Sequence, residues 1–188
     1  RRGSDGRLHV AGIDVSGAQG SDTGAQDWFF SQVEFVIRGG SLRWIDEQRA
    51  LAPLVLSQVD FVSRNVGRHH DIRLDATPPD DWGARFQIQA RFLQELLTRR
   101  NGQWQRWQGQ VFADFPQIDA SQLQHYLPMG VDLRQGRGAM RTWLDVNQGQ
   151  VSSATVDLAM TELAVALGPK LPEIDLSQLP GRIRTKNL

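Results

Sequence analysis

The residues suited to chemistry are few and scattered. His69-His70-Asp71 holds the only histidine pair. On a strand His69 and Asp71 would share a face, so a metal would need ligands from elsewhere. The other histidines, His9 and His125, lie far off in sequence. The pair therefore reads as part of a solvated strand face. A serine nucleophile needs a base and an orienting acid, and no Gly-x-Ser-x-Gly elbow is present. Gly136-Arg137-Gly138 lacks the rest of a dinucleotide fingerprint. Asp80-Asp81 follows Pro78-Pro79 and precedes Trp82, a loop composition that explains the acids without a glycosidase role. Cysteine is absent, which removes thiol catalysis, cysteine-ligated zinc and disulfides. The chain is expected to be no enzyme and to need no metal or cofactor.

Arg99-Arg100, Trp104, Arg106 and Trp107 interleave bases with aromatics. Such a pattern can stack on single-stranded nucleic acid. The balance of 21 Lys and Arg against 21 Asp and Glu argues against it, so no nucleic-acid partner is expected. The tryptophans read as plugs at the ends of a sheet. Trp82, Trp104 and Trp107 could alternatively be stacking platforms for a polysaccharide.

The elements that would position these residues are strands. In 85–92, Phe86, Ile88, Ala90 and Phe92 alternate with Arg85, Gln87, Gln89 and Arg91. Alternate strand residues point to opposite faces, so this segment has one dry side and one wet side. Similar patterns predict strands over 8–15, 34–38, 42–46, 54–62, 69–76, 107–115, 138–147, 151–160 and 162–167. Gly39-Gly40 reads as the turn of a hairpin joining 34–38 to 42–46. The parity of 54–62 slips near Ser57-Gln58, the mark of a bulge. Short helices are expected over 27–32, 92–99 and 119–127, the last capped by Asp119 or Ser121 and limited by Pro128. Gly40 to Asp46 is echoed by Gly138 to Asp145, either as a repeated meander unit or as two hairpins with common turn residues.

The expected fold is mainly β: a long curved antiparallel sheet of about ten strands with two or three short helices. The 188 residues suffice for a real core. Residues 1–168 would form the sheet, and 169–188, with Pro169, Pro172 and Pro180, an extended connection with a further strand over 181–186. Two arrangements fit the dry face. Either two sheets close into a sandwich, or one curved sheet leaves an apolar groove suited to hydrocarbon chains. No run approaches the length of a membrane span, and the opening Arg1-Arg2-Gly3-Ser4 suggests a piece of a longer protein.

Several segments resemble the AsmA-like proteins of the YhdP type. Asp27-Trp28-Phe29-Phe30-Ser31-Gln32 matches an aromatic-x-x-Gln segment. Ile37 to Asp46 matches Ile-x-Gly-Gly-x-Leu-x-Trp-x-Asp. Pro53 to Asp60, Gly67-Arg68-His69-His70, Phe115 to Asp119 and Gly136 to Asp145 follow in the family's order. The resemblance implies an internal segment of a Gram-negative envelope protein, periplasmic, with its inner-membrane anchor outside this chain. It implies a non-enzymatic trough carrying phospholipid between inner and outer membranes and supporting the outer-membrane barrier. Acyl chains would be the ligand, with other envelope or outer-membrane proteins as possible partners. Phe86, Ile88 and Phe92 are the first candidates to line the path. Phe35, Ile37, Leu42, Trp44, Ile72 and Leu74 come next. The competing reading is a closed β-sandwich that serves as a structural or protein-interaction module of the envelope.

Overall fold

A computed structural model describes residues 1–7, 9–10, 13–14, 24–96, 102–123, 132–166 and 173–186. Strands β1 (His9–Val10) and β2 (Ile13–Asp14) form a small antiparallel ribbon. Helix α1 (Gly24–Ser31) precedes the long strands β3 (Glu34–Trp44), β4 (Leu54–Val66), β5 (His69–Thr77) and β6 (Phe86–Leu93). A single 3₁₀ turn at Trp104–Arg106 leads into β7 (Gln108–Asp119) and the short helix α2 (Ala120–Leu123). Strands β8 (Asp132–Asn147), β9 (Gln150–Ala166) and β10 (Glu173–Lys186) complete the fold.

β3 to β10 form one eight-stranded sheet in which every strand lies beside its neighbours in sequence. All pairings are antiparallel. Such a meander needs only local turns. At one end of the strands lie two tight hairpins. Gly67 (φ +60°) opens the β4–β5 turn, and Gln148 and Gly149 (φ +51° and +70°) make the β8–β9 turn. Positive φ here matches the twist of the flanking strands. At the other end the chain takes longer connections.

The described strands beyond the β1–β2 ribbon belong to this one sheet, so no sandwich forms among them. The expected hairpin at Gly39-Gly40 is also absent. Residues 34–44 run as one strand, and the Gly pair makes a bulge inside it. Gly39 (φ +60°) donates its N–H to Asp60 Oδ1 at 2.9 Å. The positive φ that could have reversed the chain here only bends it. The bulge expected in β4 is present: Gln58 has φ +47°, and the register shifts between Ser57 and Asp60. The two echoing segments are therefore not hairpins. Residues 40–44 of the first and all of the second lie in long strands whose register shifts.

Other expected boundaries moved. Segments 151–160 and 162–166 lie in one strand, β9, because Thr161 continues the ladder opposite Arg137 and Gln178; residue 167 lies outside the described residues. The helix expected over 92–99 does not start at Phe92, which with Leu93 ends β6; residues 97–99 lie outside the described set. Helix α1 begins ahead of the expected 27–32, at Gly24. At α2, Asp119 Oδ1 accepts the Ser121 N–H at 3.0 Å, the capping role expected of it. Residues 173–186 form one 14-residue strand.

Candidate functional site

The register assigns each side chain to a face. Across β3 to β6, Ile37 faces Phe61, Phe61 faces Leu74, and Leu74 faces Ile88. The row continues through Ala113 and Thr142 to Val156. A parallel row runs Phe35, Ser63, Ile72, Ala90, Val111, Leu144 and Ala154. Phe86 pairs with Ala76, Phe92 with His70, Leu42 with Leu56 and Trp44 with Leu54. All the sequence-derived candidates, Phe35, Ile37, Leu42, Trp44, Ile72, Leu74, Phe86, Ile88 and Phe92, thus share one face.

That face is partly buried although no second sheet covers it among the described residues. Val59 is 4% and Ala76 0% exposed. With Leu56 and Phe86 they form a cluster that also takes Leu54, Leu74, Ile88 and Phe115. The register shifts in β3, β4, β7 and β8 mark irregularities of the kind that bend a strand locally. The rings of Phe86 and Phe115 stack with centroids 5.0 Å apart. Toward the β3 edge the face opens. Ile37 and Leu42 are each 41% exposed.

Helix α1 covers the hairpin end of the same face. Phe29 meets Phe35 at 5.3 Å, and Phe30 meets Trp107 at 4.7 Å and His70 at 5.6 Å. Gln32 fastens the helix: its side-chain amide donates to Trp28 O, and its backbone carbonyl accepts the Asn65 Nδ2–H at 2.7 Å. Asp27 accepts the Gly102 N–H at 2.7 Å, tying the helix to the β6–β7 connection. The aromatic-x-x-Gln segment is thus a lid with its own latch. The Gly-Gly-x-Leu-x-Trp-x-Asp segment has an equally physical reading. Gly39-Gly40 bends β3, Leu42 and Trp44 point to the apolar face, and buried Asp46 accepts the Arg49 N–H at 3.1 Å.

The histidine pair splits. His69 is exposed on the polar face, whereas His70 is 1% exposed beneath α1, not solvated as expected. Its ring stacks on Trp107 at 3.8 Å, and Nδ1–H donates to Asn65 Oδ1 at 2.7 Å. Burial lowers the His70 pKa, more than the neighbouring Gln94 raises it. The tryptophans proposed as a joint stacking surface are not one. Trp107 is 3% exposed in this plug, and Trp82 sits at the opposite end of the strands, where its carbonyl accepts the Asp119 N–H. Asp80 and Asp81 are exposed in the β5–β6 loop. Among the described residues no group of three His, Asp or Glu side chains could hold a metal, and no helix is long and apolar enough to cross a membrane.

The opposite face is a lattice of paired charges. Glu34, Arg64, Asp71 and Arg91 stand next to one another across β3 to β6. Arg64 reaches Glu34 at 2.7 Å and Arg91 reaches Asp71 at 3.5 Å. A second row holds Asp60, Asp75, Asp114, Arg141, Asp157 and Arg182. The Arg73 guanidinium holds the Asp75 carboxyl below its ordinary range, and Arg182 does the same for Asp157.

Sequence reasoning missed the apolar-face residues beyond β6. Val111, Ala113 and Phe115 on β7, Met140 and Leu144 on β8, and Val156, Leu158 and Met160 on β9 continue the surface. Alternation in these segments was the available signal. It also missed Val59 and Phe61, because the Gln58 bulge changes the parity of β4.

Residues 4–188 match the family model described as YhdP protein. No curated protein and no solved structure matches the chain. With the match running through the whole sheet, this chain belongs to the YhdP family of envelope proteins.

Proposed function

We propose that this chain is a non-enzymatic segment of a periplasmic lipid conduit, and that acyl chains lie on its apolar sheet face. The observation that carries the reading is the mainly apolar face that runs from β3 to β9, left open at the β3 edge. An acyl chain has no hydrogen-bonding groups, so a wall of Phe, Ile, Leu and Val meets all its needs. Each methylene taken out of water contributes about 0.8 kcal/mol. Eight strands at ~4.8 Å spacing give a wall about 34 Å long. Half a bilayer core is about 15 Å, so the wall holds about two acyl chains end to end. Many similar weak contacts suit sliding better than one deep pocket does.

In this reading phospholipid moves between inner and outer membranes, which maintains the outer-membrane barrier. An anchor outside this chain fixes the protein in the inner membrane, and other envelope proteins meet its ends. Arginines of the polar face pair with carboxylates, Arg64 with Glu34 and Arg182 with Asp157 among them, which disfavours phosphate contacts with nucleic acid. The test is lipid transfer by the full-length protein carrying Ile88→Glu or Gln87→Glu, neighbours on opposite faces. Loss of transfer with the first and retention with the second is expected. Equal effects, or no effect from either, would remove the groove from the account.

A further inference from the structure

The polar face carries a feature that a lipid wall does not need. An open cleft of about 540 Å³ lies over the ends of β6, β7 and β8. Arg91, Gln108, Gln110, Asp145 and Asn147 line it from the polar face together with His69 and Leu93, and Phe92, Gly109 and Val146 complete the lining. The volume falls in the range of small-ligand sites, roughly 300–1,000 Å³. Directly beside it, one step further along β7 and β8 on the same face, stand Phe112 and Trp143. Their rings lie 5.3 Å apart, and Trp143 is 39% exposed. Same-face residues two apart on a strand are about 7 Å apart, so cleft and indole form one continuous surface.

We propose that this surface is a glycan-binding site, in which the cleft takes the polar edge of a neutral oligosaccharide and Trp143 stacks on the apolar face of the adjoining sugar ring. The chemistry of the walls selects this class. Primary amides each offer a donor pair and an acceptor, which suits hydroxyl and acetamido groups. The charged side chains cancel, with Arg91 on one wall and Asp145 on the other. Arg91 is already paired with Asp71, and Asp145 accepts bonds from Gln110 at 3.0 Å and from Ser153. A phosphate would face the Asp145 carboxylate, and an ammonium would face the guanidinium. The indole gives a flat apolar platform with a polar handle. The site lies on the face opposite the proposed acyl path and stands or falls independently of it.

The test is titration of the full chain with an oligomer of N-acetylglucosamine, followed by tryptophan fluorescence and calorimetry. Trp143→Ala is expected to weaken binding by up to about tenfold, the scale of one aromatic contact. Gln110→Ala is expected to weaken it less, and Trp107→Phe to leave the affinity unchanged. Unaltered far-ultraviolet circular dichroism of Trp143→Ala shows that the fold survives. No binding, or binding that persists undiminished in Trp143→Ala, overturns the proposal. So does phosphatidylglycerol-vesicle binding that Trp143→Ala abolishes in the absence of any glycan binding.

Discussion

Val36 and Ile37 are neighbours on β3, 38% and 41% exposed, and point to opposite faces. Glutamate at either position removes similar apolar area and leaves the carboxylate in reach of water. Substitutions at such exposed sites change stability by about 0.5 kcal/mol or less. Their effects on lipid should differ widely. An acyl chain crossing the β3 edge lies against Ile37, and a carboxylate there would keep about two methylenes in water. At about 0.8 kcal/mol each that is about 1.6 kcal/mol, or roughly fifteenfold in affinity. Covering the carboxylate instead would cost more, because an ion would lose its hydration. Val36→Glu faces the charge lattice and should leave lipid affinity within about twofold of wild type, since it displaces no methylene. Binding of a fluorescent fatty-acyl probe, with urea midpoints for both variants, measures the difference. Equal loss of affinity in the two variants would refute the face assignment, even if both remained folded.

Phe86 is 9% exposed and stacked on Phe115, so Phe86→Ala should cost about 3–5 kcal/mol in urea denaturation. Gln87→Ala, on the other face, should change stability by about 0.5 kcal/mol or less. The pKa of buried His70 is lowered below the ordinary value of 6.5. The unfolded chain then binds the extra proton first as pH falls. The stability contribution is complete above pH 6.5 and is lost as pH falls toward the folded-state pKa, at up to about 1.4 kcal/mol per pH unit. His70→Gln should flatten that acid limb in urea melts at a series of pH values. An unchanged limb would mean that His70 is not its source.

Legibility in the sequence followed how local each cause was. The 85–92 segment states its two faces outright, and β6 carries them unchanged. The β4 parity slip was visible as a slip, and Gln58 with its positive φ is its physical form. Gly39-Gly40 misled because a Gly pair permits a reversal and a bulge equally; which one forms depends on Asp60 of the neighbouring strand accepting the Gly39 N–H. Burial of His70 was illegible for the same kind of reason. Alternation separates it from His69, but only the docking of α1 and the stacking of Trp107 take it out of water. The choice between a sandwich and a single curved sheet is likewise a matter of long-range closure, which period-two patterning does not encode.

The central claim concerns which face meets lipid, and site-specific photo-crosslinking reads it directly. A photoreactive residue is placed at position 88 and then at position 87 of the full-length protein in cells. Phospholipid captured at 88 and absent at 87 is the expected result, since Ile88 belongs to the apolar row and Gln87 to the polar one. Lipid captured equally at both positions, or at neither, would contradict an acyl path along this face.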